Sequence, residues 1–188
     1  MITFKSHSGI HTLEVVQFLN IPLAVAWDFF SSPGNLPKIT PEHMDFKITS
    51  GTPAKMYPGQ MITYKVSPFP GFKTSWVTEI TQVTEHSFFV DEQRFGPYRM
   101  WHHEHHFEVQ DGGVLMTDRV SYKLPLGLLG CIANVMFVRR QLNRIFDYRI
   151  AAMEKKIRQT TGNLNPVELI RLIPVNRLSQ ASSCIPKY

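Results

Sequence analysis

Cysteine is scarce in this chain. Cys131 and Cys184 are its only two, far apart and flanked by no metal-ligand spacing, which excludes a disulfide framework and a zinc ribbon. Long hydrophobic runs are lacking as well. The longest, Leu128–Val138, is broken by Gly130 and Asn134 and falls short of the ~20 residues a membrane span needs. The opening Met1-Ile-Thr-Phe-Lys-Ser-His-Ser8 has none of the apolar core of a secretory leader. A cytoplasmic protein with free thiols is therefore expected. There is also no glycine-rich phosphate loop, no Ser-His-Asp order, no nucleophile elbow and no kinase signature, so nucleotide chemistry and the common acyl-transfer mechanisms have no foothold.

What is abundant is apolar surface. Of 188 residues 43% are hydrophobic and 12% aromatic, with 13 Phe, 6 Tyr and 3 Trp, a composition that folds around a sizeable core. The length suits one domain, read as residues 1–160, followed by a tail over 161–188 with a short helix at Val167–Ile173 or no fixed structure. The net charge of +5 is unevenly placed: residues 1–125 hold 10 Lys and Arg against 12 Asp and Glu, residues 126–188 hold 10 against 3. The basic residues lack interleaved aromatics on their helix face and carry no recognition motif, so no nucleic-acid partner is expected. A solvated helix face is the simplest account of them.

Read along the chain, His11–Leu19 is a strand and Pro22–Ser31 a helix stopped by Ser32-Pro-Gly-Asn35. Leu36–Ile39 and Pro41–Met44 make one short helical turn each. Six strands follow at Phe46–Ser50, Gln60–Val66, Lys73–Thr84, Ser87–Phe95, Tyr98–Gln110 and Val114–Leu124, separated by Pro- and Gly-containing turns. Loops this short make an antiparallel meander. After Pro125-Leu-Gly127 the period turns helical: Val135, Val138, Leu142, Ile145, Phe146, Met153 and Ile157 share a face, in a helix of up to ~30 residues. The expected fold is α+β, a curved seven-stranded antiparallel sheet wrapped around a long C-terminal helix, with two short helices after the first strand. A strongly bent sheet of this kind commonly leaves a cavity beneath the helix.

One hairpin can be registered from sequence. If Asp111-Gly112 is the two-residue turn this dipeptide favours, Phe107 faces Met116, His105 faces Asp118, His103 faces Val120 and Trp101 faces Tyr122, while Glu104 meets Arg119 on the other side. The run His102-His-Glu-His-His106 is thereby split into two inner and two outer histidines. The inner face, with Trp76 and Thr78 from the long strand, supplies the candidate ligand-binding residues: Trp76, Thr78, Trp101, His103, His105, Phe107, Asp118, Val120 and Tyr122. His105, Asp118 and Tyr122 are the candidates for catalysis, His105 as a general base held by Asp118, and Tyr122 or His103 polarising a carbonyl. His103, His105 and Asp118 also make a two-histidine, one-carboxylate set. Spacing fixes no further strong ligand and the His–Asp pair satisfies itself, so no metal and no cofactor is expected. A cupin-like His-x-His site fails because Glu108 points to the opposite face. Alternation puts either Asp91 and Gln93 or Glu92 and Arg94 inward, and both fit.

Phe29-Phe-Ser-Ser-Pro-Gly-Asn-Leu36 with Thr40-Pro41, then Gly96-Pro-Tyr-Arg-Met-Trp-His-His-Glu-His-His-Phe107, then Asp118-Arg-Val-Ser-Tyr-Lys-Leu-Pro-Leu-Gly127, resemble the SRPBCC group of START-like ligand-binding proteins over residues 10–158. This is the helix-grip superfamily of the birch-pollen allergen, lipid-transfer START domains, polyketide cyclases and coenzyme Q-binding proteins. The similarity is to bacterial cyclase/dehydrase-like members, some joined to a sugar-nucleotide-epimerase-like domain. The resemblance implies a deep apolar cavity but no catalytic set that carries over residue by residue. Three functions are expected in descending order. The first is a carrier or sensor of a lipid, quinone or polyketide-like molecule. The second is a cyclase/dehydratase-like enzyme, and the third is a module touching a membrane surface or protein partner through its basic helix. A monomer and a homodimer both fit.

Overall fold

The computed structural model describes residues 1–51, 55–69 and 71–162, with backbone alone at 69, 128, 129, 131 and 160–162. The Cys131 and Cys184 side chains and the Val167–Ile173 segment lie outside the described residues.

Eight strands form one antiparallel sheet: β1 (Ile2–His7), β2 (Ile10–Leu19), β3 (Lys47–Ile48), β4 (Gln60–Phe69), β5 (Phe72–Thr84), β6 (Phe88–Phe95), β7 (Met100–Gln110) and β8 (Gly113–Lys123). Their order is β1-β2-β8-β7-β6-β5-β4-β3, so the chain crosses to the far edge after β2 and meanders back until β8 closes on β2. This is the expected α+β helix-grip arrangement with one strand more than the seven expected. The additional strand is β1, joined to β2 by Ser8-Gly9, both at positive φ (50° and 75°), the backbone of a tight hairpin turn. Ile2 and Phe4 of β1 pack against the core, and Phe4 also lies 4.6 Å beneath the Arg139 guanidinium. Asp111 and Gly112 likewise have positive φ (48° and 82°), and the β7–β8 register is the one the dipeptide dictates: Phe107 opposite Met116, His105 opposite Asp118, His103 opposite Val120, Trp101 opposite Tyr122.

Helix α1 (Leu23–Phe30) follows Pro22 and ends where Ser32 Oγ donates to Asp28 O and Asn35 Nδ2 donates to Phe29 O. Ser32 is extended, as the residue before a proline prefers, and Pro33 then opens a 3-10 segment over Pro33–Ile39. A second 3-10 turn spans Glu42–Met44. The C-terminal helix is not uniform. Helix α2 (Gly127–Ala133) passes through a π turn at Asn134–Val138 into α3 (Arg139–Gly162), whose 24 residues span about 36 Å.

Val138, Leu142, Phe146 and Met153 step along one face of this helix and are buried against the sheet. Val138, Leu142 and Phe146 pack on Leu13, Val15, Val120 and Tyr122. Met153 packs with Leu19, Trp27, Phe30, Phe89 and Phe107 beneath α1. Register shifts in β4 between Val66 and Phe69, and in the β5–β6 pairing around Thr78 and Ile80, mark irregularities of the bulge kind, which bend a sheet locally. Residues of these same strands and of α3 line the cavity described next. Among the described residues, no helix is long and apolar enough to cross a membrane.

Candidate functional site

Between the bent half of the sheet, the two 3-10 turns and α3 lies a cavity of about 170 Å³. Its wall is mostly aromatic and aliphatic: Phe29, Phe30, Ile39, Met44, Phe46, Ile62, Tyr64, Val66, Trp76, Ile80, Phe89, Tyr98, Trp101, Leu142, Ile145 and Phe146. Trp76 and Trp101 meet edge to face at 5.3 Å, with Tyr98 against both at 5.6 and 4.8 Å. Tyr64 stacks on Trp76 at 5.9 Å, and its hydroxyl shares a hydrogen bond with Thr78 Oγ1 (2.9 Å). Burial and the nearby Asp91 carboxylate push the Tyr64 phenol well up, so it stays neutral. Trp76 Nε1 is buried with no hydrogen-bond partner among the described residues, a donor without an acceptor on the cavity wall.

One wall is ionic. Asp91 from β6, His103 and His105 from β7 and Arg149 from α3 line the cavity, and Asp118 of β8 lies behind the two imidazoles. Antiparallel pairing sets Asp91 opposite His103 and Asp118 opposite His105. His103 Nε2–H donates to Asp118 Oδ1 (3.2 Å), and His105 Nε2–H donates to Asp91 Oδ2 (3.0 Å). His103 Nδ1 lies 3.4 Å from Asp91 Oδ2. His105 Nδ1 is 2.7 Å from Asp118 Oδ1, but that oxygen sits off the N–H axis, making this an ionic contact rather than an aligned hydrogen bond. The rings lie 3.8 Å apart, and Phe89 stacks on the outer side of His105 at 4.1 Å. Arg149 Nε is 3.9 Å from Asp118 Oδ2.

Burial would raise both carboxyl pKa values, yet the opposing charges win. Arg149, His105 and His103 hold Asp118 well below the usual carboxylate range, and His103, His105 and Arg149 lower Asp91. Burial pulls both imidazoles down. For His103 it prevails, reinforced by His105, and the pKa is lowered; for His105 the two carboxylates outweigh it and the pKa is raised. The resulting set places the Asp91 and Asp118 carboxylates between Arg149 and His105, whose charged form the site favours, while His103 is pushed toward its neutral form.

Of the residues expected to bind a ligand, Trp76, Thr78, Trp101, His103 and His105 line the cavity. Phe107, Asp118, Val120 and Tyr122 share the inner face but are not among the lining residues. Phe107 packs under α1 against Trp27 (5.5 Å) and Phe30 (5.7 Å), and Val120 is covered by the helix. Tyr122 is wholly buried, and its hydroxyl donates to Asn134 Oδ1 in the π turn (2.8 Å). Burial pushes its phenol up to about 12. Of the two alternatives left open on β6, the inward pair is Asp91 and Gln93. Gln93 ties down the Tyr98 backbone through both amide atoms, whereas Arg94 pairs with Glu79 and Glu92 outside. Outward-facing His102 and His106 bond to Glu92 and Glu104 (2.9 Å each), and Arg119 bridges Glu14 and Glu104.

Arg149 was missed by sequence reasoning. It sits three residues after Phe146 and four before Met153, on the buried stripe of α3, and a basic residue at such a position signals a buried counter-ion.

A family model described as "Polyketide cyclase / dehydrase and lipid transport" matches residues 19–153. No curated protein matches the chain. Among solved structures, it is similar to protein Ms6760 of Mycobacterium smegmatis (18% identity, TM-score 0.59, covering 83% of this chain and 99% of that one). It is similar also to TTHA0849 of Thermus thermophilus (10% identity, TM-score 0.62, covering 79% and 98%). A nucleoside-diphosphate sugar epimerase of Corynebacterium glutamicum matches at 23% identity and TM-score 0.55, covering 77% of this chain and 29% of that one. These likenesses are of fold.

Proposed function

The chain belongs to the polyketide cyclase/dehydrase and lipid transport family, of the SRPBCC or START-like kind, and on that premise we propose that it carries or senses a hydrophobic or amphipathic small molecule held in the cavity under α3. One observation carries this reading: the cavity is walled by aromatic and aliphatic side chains except for a single polar wall, the arrangement that orients an apolar ligand by a few polar groups. Its size narrows the ligand class. A cavity of about 170 Å³ is close to the ~150 Å³ that holds one benzene ring, so a one- or two-ring aromatic, quinone head or polyketide fragment fits. The ionic wall supplies the groups that would meet its oxygens.

A fluorescent naphthalene dye tests the reading. It should bind one per chain and be displaced by small aromatic phenols, and Ile145→Trp, which adds bulk to the α3 side of the cavity wall, should weaken binding at least about tenfold with the fold intact. Equal binding by wild type and Ile145→Trp would overturn it.

The third expected function keeps one specific observation. Leu126, Ile132, Val135, Met136 and Phe137 are each more than half exposed, and exposed Arg139 and Arg140 follow directly. An apolar strip beside cations suits shallow contact with an anionic bilayer, from which an apolar ligand could be loaded.

A further inference from the structure

We propose that Asp91, His103 and His105 bind a divalent transition-metal ion on the cavity wall, with Asp118 as the outer-shell carboxylate that fixes both imidazoles. One ligand atom from each of the three residues lies within 4.8 Å of the others. Asp91 Oδ2 is 3.0 Å from His105 Nε2 and 3.4 Å from His103 Nδ1. An ion with N and O ligands at about 2.0–2.2 Å sets neighbouring ligands about 3.0–3.4 Å apart, so these two separations already suit a shared ion.

The nitrogens are apportioned for it. His103 gives its Nε2–H to Asp118, which leaves the Nδ1 lone pair facing Asp91 Oδ2, two acceptors with no donor between them. An ion there would take the place of the proton now bridging His105 Nε2 and Asp91. Behind the imidazoles, Asp118 Oδ1 accepts from His103 Nε2–H (3.2 Å) and makes an ionic contact with His105 Nδ1 (2.7 Å), and a carboxylate set behind metal-bound histidines is the usual outer shell of such a site. Asp118 is in turn neighboured by Arg149.

The donor set decides the ion. Two imidazoles and one carboxylate suit zinc, iron, cobalt or nickel rather than calcium or magnesium, which take oxygen ligands. Asp91, His103 and His105 all line the cavity and Asp118 does not, so the remaining coordination positions open toward the space a ligand would occupy, where a carbonyl or phenolate oxygen could complete the shell. Hairpin register alone groups Asp118 with His103 and His105, a set from which no metal is expected; the β6–β7 pairing brings in Asp91 as the carboxylate instead.

The site shares its cavity with the ligand proposed above but does not depend on it, and dye binding measured in chelator leaves that reading standing if the metal fails. The test uses tag-free protein stripped with EDTA, titrated with Zn²⁺ by calorimetry and with Co²⁺ by visible absorption. One ion per chain, a Co²⁺ ligand-field band, and a rise in wild-type melting temperature with Zn²⁺ are expected. Asp91→Ala should lower affinity more than about a hundredfold and Asp118→Asn about 10–100-fold, with Glu92→Ala on the outer face unchanged. Failure of wild type to bind, or binding that survives Asp91→Ala, overturns the proposal. Should Asp91→Ala not fold, imidazole nitrogen NMR of wild type decides: Zn²⁺ must shift His103 and His105, and shifts confined to outward-facing His102 and His106 refute it.

Discussion

Replacing Asp118 by asparagine in chelator-treated protein isolates what the buried carboxylate contributes to the fold. Its side chain is 8% exposed and faces His105 Nδ1 at 2.7 Å, His103 Nε2 at 3.2 Å and Arg149 Nε at 3.9 Å. Asparagine keeps the volume and removes the charge, so His105 and Arg149 lose their common counter-ion. Breaking a buried pair from one side costs about 3–5 kcal/mol. Because Arg149 is 13% exposed and not in hydrogen-bond contact, the low end applies, about 3 kcal/mol, or roughly 6–12 °C in Tm for a chain of this size. The sign with pH follows from the shifts. His105 is raised above its ordinary 6.5, so the stability it draws from Asp118 and Asp91 is complete below that value and is lost as pH rises through the folded one. Asp118 is lowered, so its own contribution is present above the ordinary 3.8 and is lost as pH falls through the folded value. The penalty of Asp118→Asn is therefore largest between these limits, at about pH 6, and smaller at a pH above the folded-state pKa of His105. Urea unfolding of both proteins at the two pH values measures it. A penalty under about 1 kcal/mol, or one equal at both, would refute the ionic reading of this wall.

Further outcomes follow from neighbouring residues. Phe107→Ala, deleting a 4%-exposed ring from the cluster under α1, should cost about 3–5 kcal/mol by urea unfolding. Tyr122→Phe strands the buried Asn134 Oδ1 and should cost about 1–3 kcal/mol, measured the same way. Glu104→Gln, on the solvent side of the same strand, should change stability by less than about 1 kcal/mol, because its partners Arg119 and His106 remain hydrated. Flotation with anionic vesicles should recover the protein at low salt and less of it at moderate salt, with Phe137→Ser reducing recovery; indifference to salt would exclude the contact through Arg139 and Arg140.

Much of the fold was legible because turns and periodicity agreed. Asp111-Gly112 fixed the β7–β8 register, and with it the inward face of His103 and His105. Ser8-Gly9 offered the same signal for β1, but only Ile2 and Phe4 alternate ahead of it, and the polar Lys5-Ser-His7 end hides the strand. Asp91 was not legible. The loop after Phe95 is not a two-residue turn, so nothing set the β6–β7 register, and the bulges facing Thr78 and Ile80 break the alternation that would have placed it. Cavity size is further from sequence still, since it depends on how far the bulged strands stand off from α3.

The central claim is that the aromatic space under α3 receives a ring-shaped apolar molecule. Nuclear Overhauser contacts between bound naphthol and the methyl groups of the protein test it most directly. Contacts to Ile62, Ile80 and Ile145, which line the cavity from β4, β5 and α3, are predicted. Contacts confined to the exposed Ile132 and Met136, with none to those three, would show that the molecule sits on the surface and would contradict the account.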